Sequence, residues 1–387
     1  MSKIIILANK YPNKLEPTAC VFIQQLVWSF ADLGNECEVI APLPVTLNPK
    51  YLGYVNEEIE ITENQNKVKV HHPKYISFGQ GDGVGQKARV LFTTKMYEKA
   101  VDRILSKMDA KPDYIYSHFL CPSGVIAARM GRKYSIPSYF AHGEALYAGD
   151  EKYGNVRLKK ELESINGVIA VSTQNKNYVA DAGIVTPDKI NVFPNGFRKE
   201  RFYPRDKKES RQLLGLPEDE FIVGMCGSFD DRKGILRLQF AVDQIEGVSF
   251  ICAGKGELIP TSQKCLFAKS VKNDELPWFY SALDIFVLPT QNEGCCNAIV
   301  EAIACGCPII SSDRDFNTDI CDNTNSILVD PNNVDEIKNA IVELKNSNSL
   351  RHQLSEGSIK KSKSLTLNQR ASNILCFIEK MAKGNIC

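Results

Sequence analysis

Between Asp284 and Asp313 the chain reads DIFVLPTQNEGCCNAIVEAIACGCPIISSD, and this segment holds the densest set of residues able to do chemistry. Glu293 lies in a loop after an apolar run, and Glu301 falls one helical turn beyond Asn297, where a helix opens. The two carboxylates can therefore reach different parts of one elongated ligand. Gly294, Cys295 and Cys296 carry no large side chain, so backbone N–H groups at the helix N-terminus can approach sugar hydroxyls or phosphate. Glu301 can accept hydrogen bonds from two vicinal hydroxyls, as a carboxylate does on ribose. A solvated helix glutamate after an ordinary loop shows the same spacing, and spacing alone does not separate the two.

The elements that must position these groups alternate along nearly the whole chain. Apolar runs predict strands over 3–8, 37–41, 113–117, 137–141, 167–171, 190–193, 221–226, 248–253, 284–289 and 308–311. Helical periods fall at about 21–33, 86–107, 123–134, 173–182, 234–245, 275–282, 297–305 and 334–345. Strand–helix alternation with near-continuous apolar strands predicts α/β architecture, with parallel sheets covered on both faces. At about 150 residues per domain, 387 residues predict two to three domains. The polar stretch from Asn195 to Gly215 interrupts the alternation and is expected to be the hinge. After it, strand 221–226, the turn GSFDDRKG (227–234) and a helix restart the pattern of the first half. Two Rossmann-like domains are thus predicted, 1–196 and 197–364, with the active site at the carboxyl ends of their strands, between them. A last amphipathic helix in 365–387 places Leu367, Ala371, Ile374, Leu375 and Ile378 on one face and should dock back on the N-terminal domain.

Composition removes several classes of function. Lys and Arg total 47 against 46 for Asp and Glu, so the basic footprint of a dedicated nucleic-acid binder is missing. The apolar run Ile4 to Ala8 is too short for a signal peptide, and no run approaches the roughly 18 apolar residues of a membrane span. A cytoplasmic protein is expected, with at most weak peripheral contact at the inner face of a membrane. Lys159, Lys160, Lys207 and Lys208 could meet anionic lipid, but lysines on a solvated face are the plainer reading. The thirteen cysteines, from Cys20 to Cys387, mostly lie in apolar runs and are expected to be reduced and buried. Cys295, Cys296, Cys305 and Cys307 lack C-x-x-C spacing, so no metal is proposed.

The run Glu293, Gly294, Asn297, Ala298, Glu301, Ala302, Ala304, Gly306 and Pro308 resembles the signature E-G-x-x-N-A-x-x-x-E-A-x-A-x-G-x-P of the retaining glycosyltransferases of family four. That family has the GT-B fold of two Rossmann-like domains. Its weaker features follow in order over most of the chain: FPNGF (193–197), GSFDDRKG (227–234), AGKGE (253–257) and FAKSVKNDELPWFYSALDIFVLP (267–289). The loop KYPNKLEPTACVFIQQ (10–25) is similar to the subgroup that makes bacterial surface polysaccharides.

The resemblance implies that Glu293 contacts the donor sugar's hydroxyls, that Glu301 holds the ribose and that Lys233 neutralises the leaving diphosphate. A preorganised cation stabilises the charge that builds on the departing phosphate more than it stabilises the ground state. The family often has arginine just after the first glycine of that motif, where Ser228 stands here, and Arg232 is the candidate substitute. Gly254, Gly294, Cys295, Cys296 and Asn297 are donor-side expectations, as are Lys269, where the family usually has glycine, and Val271, whose surroundings would meet a uracil through the backbone. In the N-terminal domain, His142 of FAHGE matches a histidine lining the sugar site, although a histidine merely capping a strand is the alternative. His118 of SHFLCPSG, Glu144 and Cys20, the last where the family frequently has Gly-Gly, are expected on the acceptor side.

The implied reaction moves a hexose or N-acetylhexosamine from a nucleotide diphosphate sugar, UDP-linked by expectation, to a glycan or lipid-linked acceptor with anomeric retention. No cofactor or metal is expected, the nucleotide sugar being a substrate. A UDP-sugar 2-epimerase would use the same architecture and ligand, and a silent nucleotide-sugar-binding protein would bind donor without turnover. Conversion of donor in the absence of acceptor would distinguish the first from a transferase.

Overall fold

The computed structural model describes residues 1–79, 85–145 and 152–383, so Cys387 lies outside the described residues. Its contacts divide the chain into two compact units, Met1–Phe193 with Ala371–Cys387 and Pro194–Arg370.

In the first unit, β1 (Lys3–Ala8) is flanked by β2 (Glu36–Ile40) and β7 (Tyr114–His118). The parallel sheet continues outward from β7 through β8 (Ser138–His142) and β9 (Gly167–Ala170) to β10 (Ile190–Val192). On the other side, β2 pairs with β5 (Lys67–His71), and β4 (Glu57–Ile61) closes that edge antiparallel to β5. A separate ribbon pairs β3 (Leu43–Pro44) with β6 (Lys74–Tyr75). Among the described residues, helices α1 (Val21–Asp32), α2 (Gln86–Leu105), α3 (Val125–Tyr134), α4 (Asn155–Leu162) and α5 (Thr173–Asp181) lie in the same unit. Ile4, Ile5, Ile6 and Leu7 are all fully buried, which is why β1 reads as an unbroken apolar run.

In the second unit, α6 (Lys207–Leu214) precedes β11 (Phe221–Cys226), α7 (Ile235–Asp243), β12 (Val248–Ala253), β13 (Cys265–Lys269) and α8 (Leu276–Ser281). Then come β14 (Ile285–Leu288), α9 (Asn297–Ala304), β15 (Ile309–Ser312), β16 (Ser326–Val329), α10 (Val334–Asn346) and α11 (Asn348–Ser362). The sheet order is β13-β12-β11-β14-β15-β16 with every pair parallel. This is a doubly wound sheet whose direction of growth reverses between β11 and β14, the place where such sheets bind ligands outside the carboxyl ends of their strands. Residues Ala371, Ile374, Phe377 and Ile378 of the last helix, α12 (Leu367–Ala382), join the core of the first unit.

The stretch expected to be a hinge, Asn195 to Gly215, is instead part of the second unit's packing. Phe197 bridges to Thr366, Phe202 is buried, and α6 runs from an Asp206 cap that accepts the N–H of Glu209 to a left-handed Gly215. Its Arg211 is buried, with Nε on the carbonyl of Ala282 and Nη2 on Asp284. Polar composition there reflects a half-exposed helix rather than a linker. Strands β3, β4, β5, β6, β13 and β16 and helices α4, α6 and α11 had no counterpart in the expected elements. The twelve described cysteines are free thiols, seven of them buried. Among the described residues no helix is long and apolar enough to cross a membrane.

Candidate active site

The loops that follow β11 and β14 leave neighbouring strands and carry the charged groups. Glu293 Oε1 accepts from Arg232 Nη1 at 2.6 Å, from Lys233 Nζ at 2.6 Å and from Thr290 Oγ1 at 2.8 Å. Arg232 also donates to the carbonyl of Asn292 at 2.8 Å, and the N–H of Gln291 donates to the carbonyl of Arg232, so the two loops are stitched together. Two cations share this carboxylate oxygen, and Asp230 in the same turn adds a second carboxylate near both. Burial opposes the ammonium of Lys233, yet Cys296 and Glu293 beside it outweigh that effect and its pKa lies above the ordinary lysine value. Ser228, standing where arginine was expected, donates to Asp230 at 2.6 Å, and Asp230 in turn accepts the N–H of Lys233 at 2.9 Å. It thus shapes the turn that presents Lys233.

Close backbone approach explains two glycines of these turns. A Cβ on Gly254 would fall 1.8 Å from the carbonyl oxygen of Gly227, and a Cβ on Gly256 would fall 2.3 Å from that of Phe229. The strand ends of β11 and β12 are thereby brought together, and the Gly254 N–H donates to the carbonyl of Lys269 at the end of β13. The Lys269 side chain is exposed, its ammonium 4.9 Å from the Phe267 ring centroid, and Val271 is half-buried beyond it.

After β14, Cys296 takes the N-cap position of α9, and no side-chain hydrogen bond caps the helix. Gly294, Cys295 and Cys296 are buried in this loop. Asn195 Nδ2 donates to the carbonyl of Cys295 at 3.0 Å and to Asn297 Oδ1 at 2.8 Å, fixing the approach to the helix. Glu301, one turn further, accepts from Tyr280 Oη at 2.9 Å. Burial pushes its carboxyl up to about 7, with Tyr280 and Arg201 restraining the rise.

The first unit holds the remaining candidates. His142 ends β8 and is fully buried. Its ring stacks on Tyr178 with centroids 5.6 Å apart, and its Nδ1 lies 3.0 Å from Asn175 Nδ2. Ser172 Oγ lies 2.8 Å from Asn175 Oδ1, which sets that amide's orientation; Nδ1 of His142 then accepts, and its proton sits on Nε2, 3.5 Å from Glu144 Oε2. His142 is packed rather than open to solvent, because Asn175 and Tyr178 of α5 close over the strand end. Glu144 accepts the N–H groups of Leu120 at 2.8 Å and Gly143 at 2.9 Å, tying together the loops after β7 and β8. His118 is buried at the end of β7, its ring 5.3 Å from Phe22 and 5.1 Å from Phe119. Cys20 is the left-handed N-cap of α1 and lines a cavity of about 720 Å³ with Asn9, Tyr11, Glu16 and Tyr51. His118, His142 and Glu144 do not line it.

The structure therefore brings Lys233, Arg232, Glu293 and Cys296 together, with Asn297 and Glu301 on the helix that follows. Thr290, Asp230, Asn195 and Tyr280 had no role in the sequence reading. Asn195 stands in the FPNGF segment and Tyr280 in the long segment before Asp284, so the motifs held both without indicating their partners.

Residues 206–361 match the family described as glycosyl transferases group 1. The chain is 25% identical over 347 residues, 88% of each chain, to a putative teichuronic acid biosynthesis glycosyltransferase, TuaC, of Bacillus subtilis. It is 29% identical over 261 residues, 60% of this chain and 66% of the other, to an Escherichia coli UDP-Gal:alpha-D-GlcNAc-diphosphoundecaprenol alpha-1,3-galactosyltransferase. Among solved structures, Anabaena HepE in complex with UDP superimposes with a TM-score of 0.71 at 16% identity, over 98% of this chain and all of that one. The match is to transferases, which leaves the epimerase expectation without support. The charged loops thus lie at the switch point of the second unit's sheet, inside the 206–361 segment that matches the group 1 glycosyl transferases, in a chain with the GT-B fold.

Proposed function

We propose that the protein is a retaining transferase that moves a hexose or N-acetylhexosamine from a nucleotide diphosphate sugar, with UDP as the nucleotide, to a glycan or lipid-linked acceptor in the synthesis of a surface polysaccharide or glycoconjugate. The observation that carries this reading is the sharing of Glu293 Oε1 by Lys233 and Arg232 beside the uncapped N-terminus of α9. Two cations and a helix N-terminus suit a diphosphate, and the carboxylate between them suits sugar hydroxyls. UDP enters the reading from the E. coli relative's name and from the HepE complex, and surface polysaccharide from TuaC.

In this reading the donor diphosphate lies against Lys233, Arg232 and the first N–H groups of α9, with Gly254 and the Lys269–Val271 backbone toward the base and Glu301 at the ribose. As the sugar–phosphate bond breaks, charge accumulates on the leaving phosphate, and the preset cations stabilise it without reorganising. Arg232 does the work that the family gives to an arginine at the position of Ser228. The acceptor hydroxyl attacks the anomeric carbon on the face the diphosphate leaves, and the departing phosphate takes its proton, which gives retention. In the first unit, the cavity beside Cys20 is the acceptor pocket, while His142 and Glu144 set the loops around it.

A thermal-shift screen of nucleotide sugars tests the reading. A ligand at 100 times its dissociation constant stabilises by about 2.7 kcal/mol, so the donor stands out from its competitors. A protein stabilised by no nucleotide sugar would not be this enzyme.

A further inference from the structure

Glu301 stands in an unusual setting for a group that is to accept two ribose hydroxyls. Its carboxylate accepts from Tyr280 of α8 and interacts electrostatically with Arg201 of the segment before α6, Cys226 at the end of β11 and Cys305 at the end of its own helix. Arg201 is the one charged group among these. Tyr280 is fully buried, its ring held between Phe202, Phe279 and Phe286 at centroid distances of 6.2, 5.5 and 5.6 Å. Its hydroxyl has a single proton, and that proton goes to Glu301 Oε2 at 2.9 Å. Glu301 Oε1 makes no hydrogen bond among the described residues.

We propose that Tyr280 is a positioning residue for nucleotide-sugar recognition: its hydrogen bond fixes the Glu301 carboxylate and favours the ionised, acceptor-only form that a ribose diol requires, so that donor binding draws on that form. The inference rests on the functional reading above, which puts Glu301 on the ribose. An ionised carboxylate offers acceptor sites to both hydroxyls, whereas a protonated one brings a competing donor and loses one of them. Burial favours the protonated form and the tyrosine opposes it. Burial likewise pushes the Tyr280 phenol well above its usual range, so it stays a donor throughout the working pH range. With Glu301 half-ionised near pH 7, the binding-competent fraction rises from about one tenth at pH 6 to about nine tenths at pH 8.

The test is calorimetric titration with UDP-glucose, whose diphosphate does not titrate in this range, at several pH values from 6 to 8. The wild-type affinity should rise about tenfold across the range. In Tyr280→Phe, which keeps the ring and removes the hydroxyl, the midpoint should move to higher pH and affinity at pH 7 should fall. Glu301→Gln, and the 2′,3′-dideoxyribose analogue of UDP-glucose on the wild type, should both give flat profiles; the analogue needs no variant and is immune to a folding defect. A Tyr280→Phe profile superimposed on the wild-type one, or a slope that persists with the analogue, overturns the inference. Binding with a flat wild-type profile overturns it and leaves the donor reading standing, whereas no binding of UDP-glucose or of UDP-N-acetylglucosamine by the folded protein removes both.

Discussion

Replacing Lys233 by alanine separates the work of this side chain on the bound donor from its work on the transition state. Lys233 is 8% exposed, and its ammonium sits 2.6 Å from Glu293 Oε1, so little solvent screens it. In the resting protein that oxygen also holds Arg232, whose side chain is 32% exposed, and Thr290. Removing Lys233 therefore leaves Glu293 paired, and the stability loss should be well below the roughly 3–5 kcal/mol of breaking a buried ion pair outright. The catalytic loss should be larger in proportion. By comparison with other preorganised groups aimed at developing negative charge, it should be about 10²–10³ in kcat, or about 2.7–4 kcal/mol. Donor affinity should drop less, because the intact sugar–diphosphate ester carries less charge than the leaving diphosphate. Arg232→Ala, at a more screened site, should show the same pattern at smaller size, and the double variant should be non-additive because both cations meet one oxygen. The assay is kcat and KM for the donor at saturating acceptor, with UDP affinity by calorimetry and the melting temperature of each variant. Equal losses in kcat and in donor affinity would show that Lys233 binds ground and transition states alike, and the leaving-group role would be refuted.

Three further outcomes concern the first unit's packing, its pH dependence and the question of a metal. His142→Ala should lower the melting temperature as well as transfer, since it empties a buried place between Asn175 and Tyr178, while UDP affinity stays near wild type; an unchanged melting temperature would contradict the packing described. His71, aided by Lys3, holds the Glu38 carboxyl down at about 2 against burial, so its ionised form stabilises the fold above its ordinary value of 4.5 and that contribution disappears as pH falls toward 2. The stability gap between wild type and Glu38→Gln in urea unfolding should accordingly be wide at pH 7 and shrink below pH 4.5, and a gap constant with pH would exclude the linkage. Transfer should survive EDTA, because Lys233, Arg232 and the N-terminus of α9 supply positive potential at the diphosphate; loss on chelation, restored by manganese or magnesium, would overturn metal independence.

What could be read from the chain alone is what is local in it. Strands buried on both faces appear as unbroken apolar runs, and the unit from Asp284 to Asp313 keeps strand, loop, helix cap and both glutamates within one contiguous segment. Strands β4, β13 and β16 sit at sheet edges, where one face or end meets solvent, and sequences such as EEIEI do not show a continuous run. Helices α4, α6 and α11 each bury only two residues, so their apolar stripes are faint, although Asp206, Glu209 and Gly215 do mark the ends of α6. Tertiary structure alone decided who meets Glu293: Arg232 lies 61 residues away in the chain and reaches it because β11 and β14 pair where the sheet reverses. The burial of His142 and His118 and the grip of Tyr280 on Glu301 were equally out of reach, since burial and pairing depend on which distant elements cover a residue, and no local period encodes that.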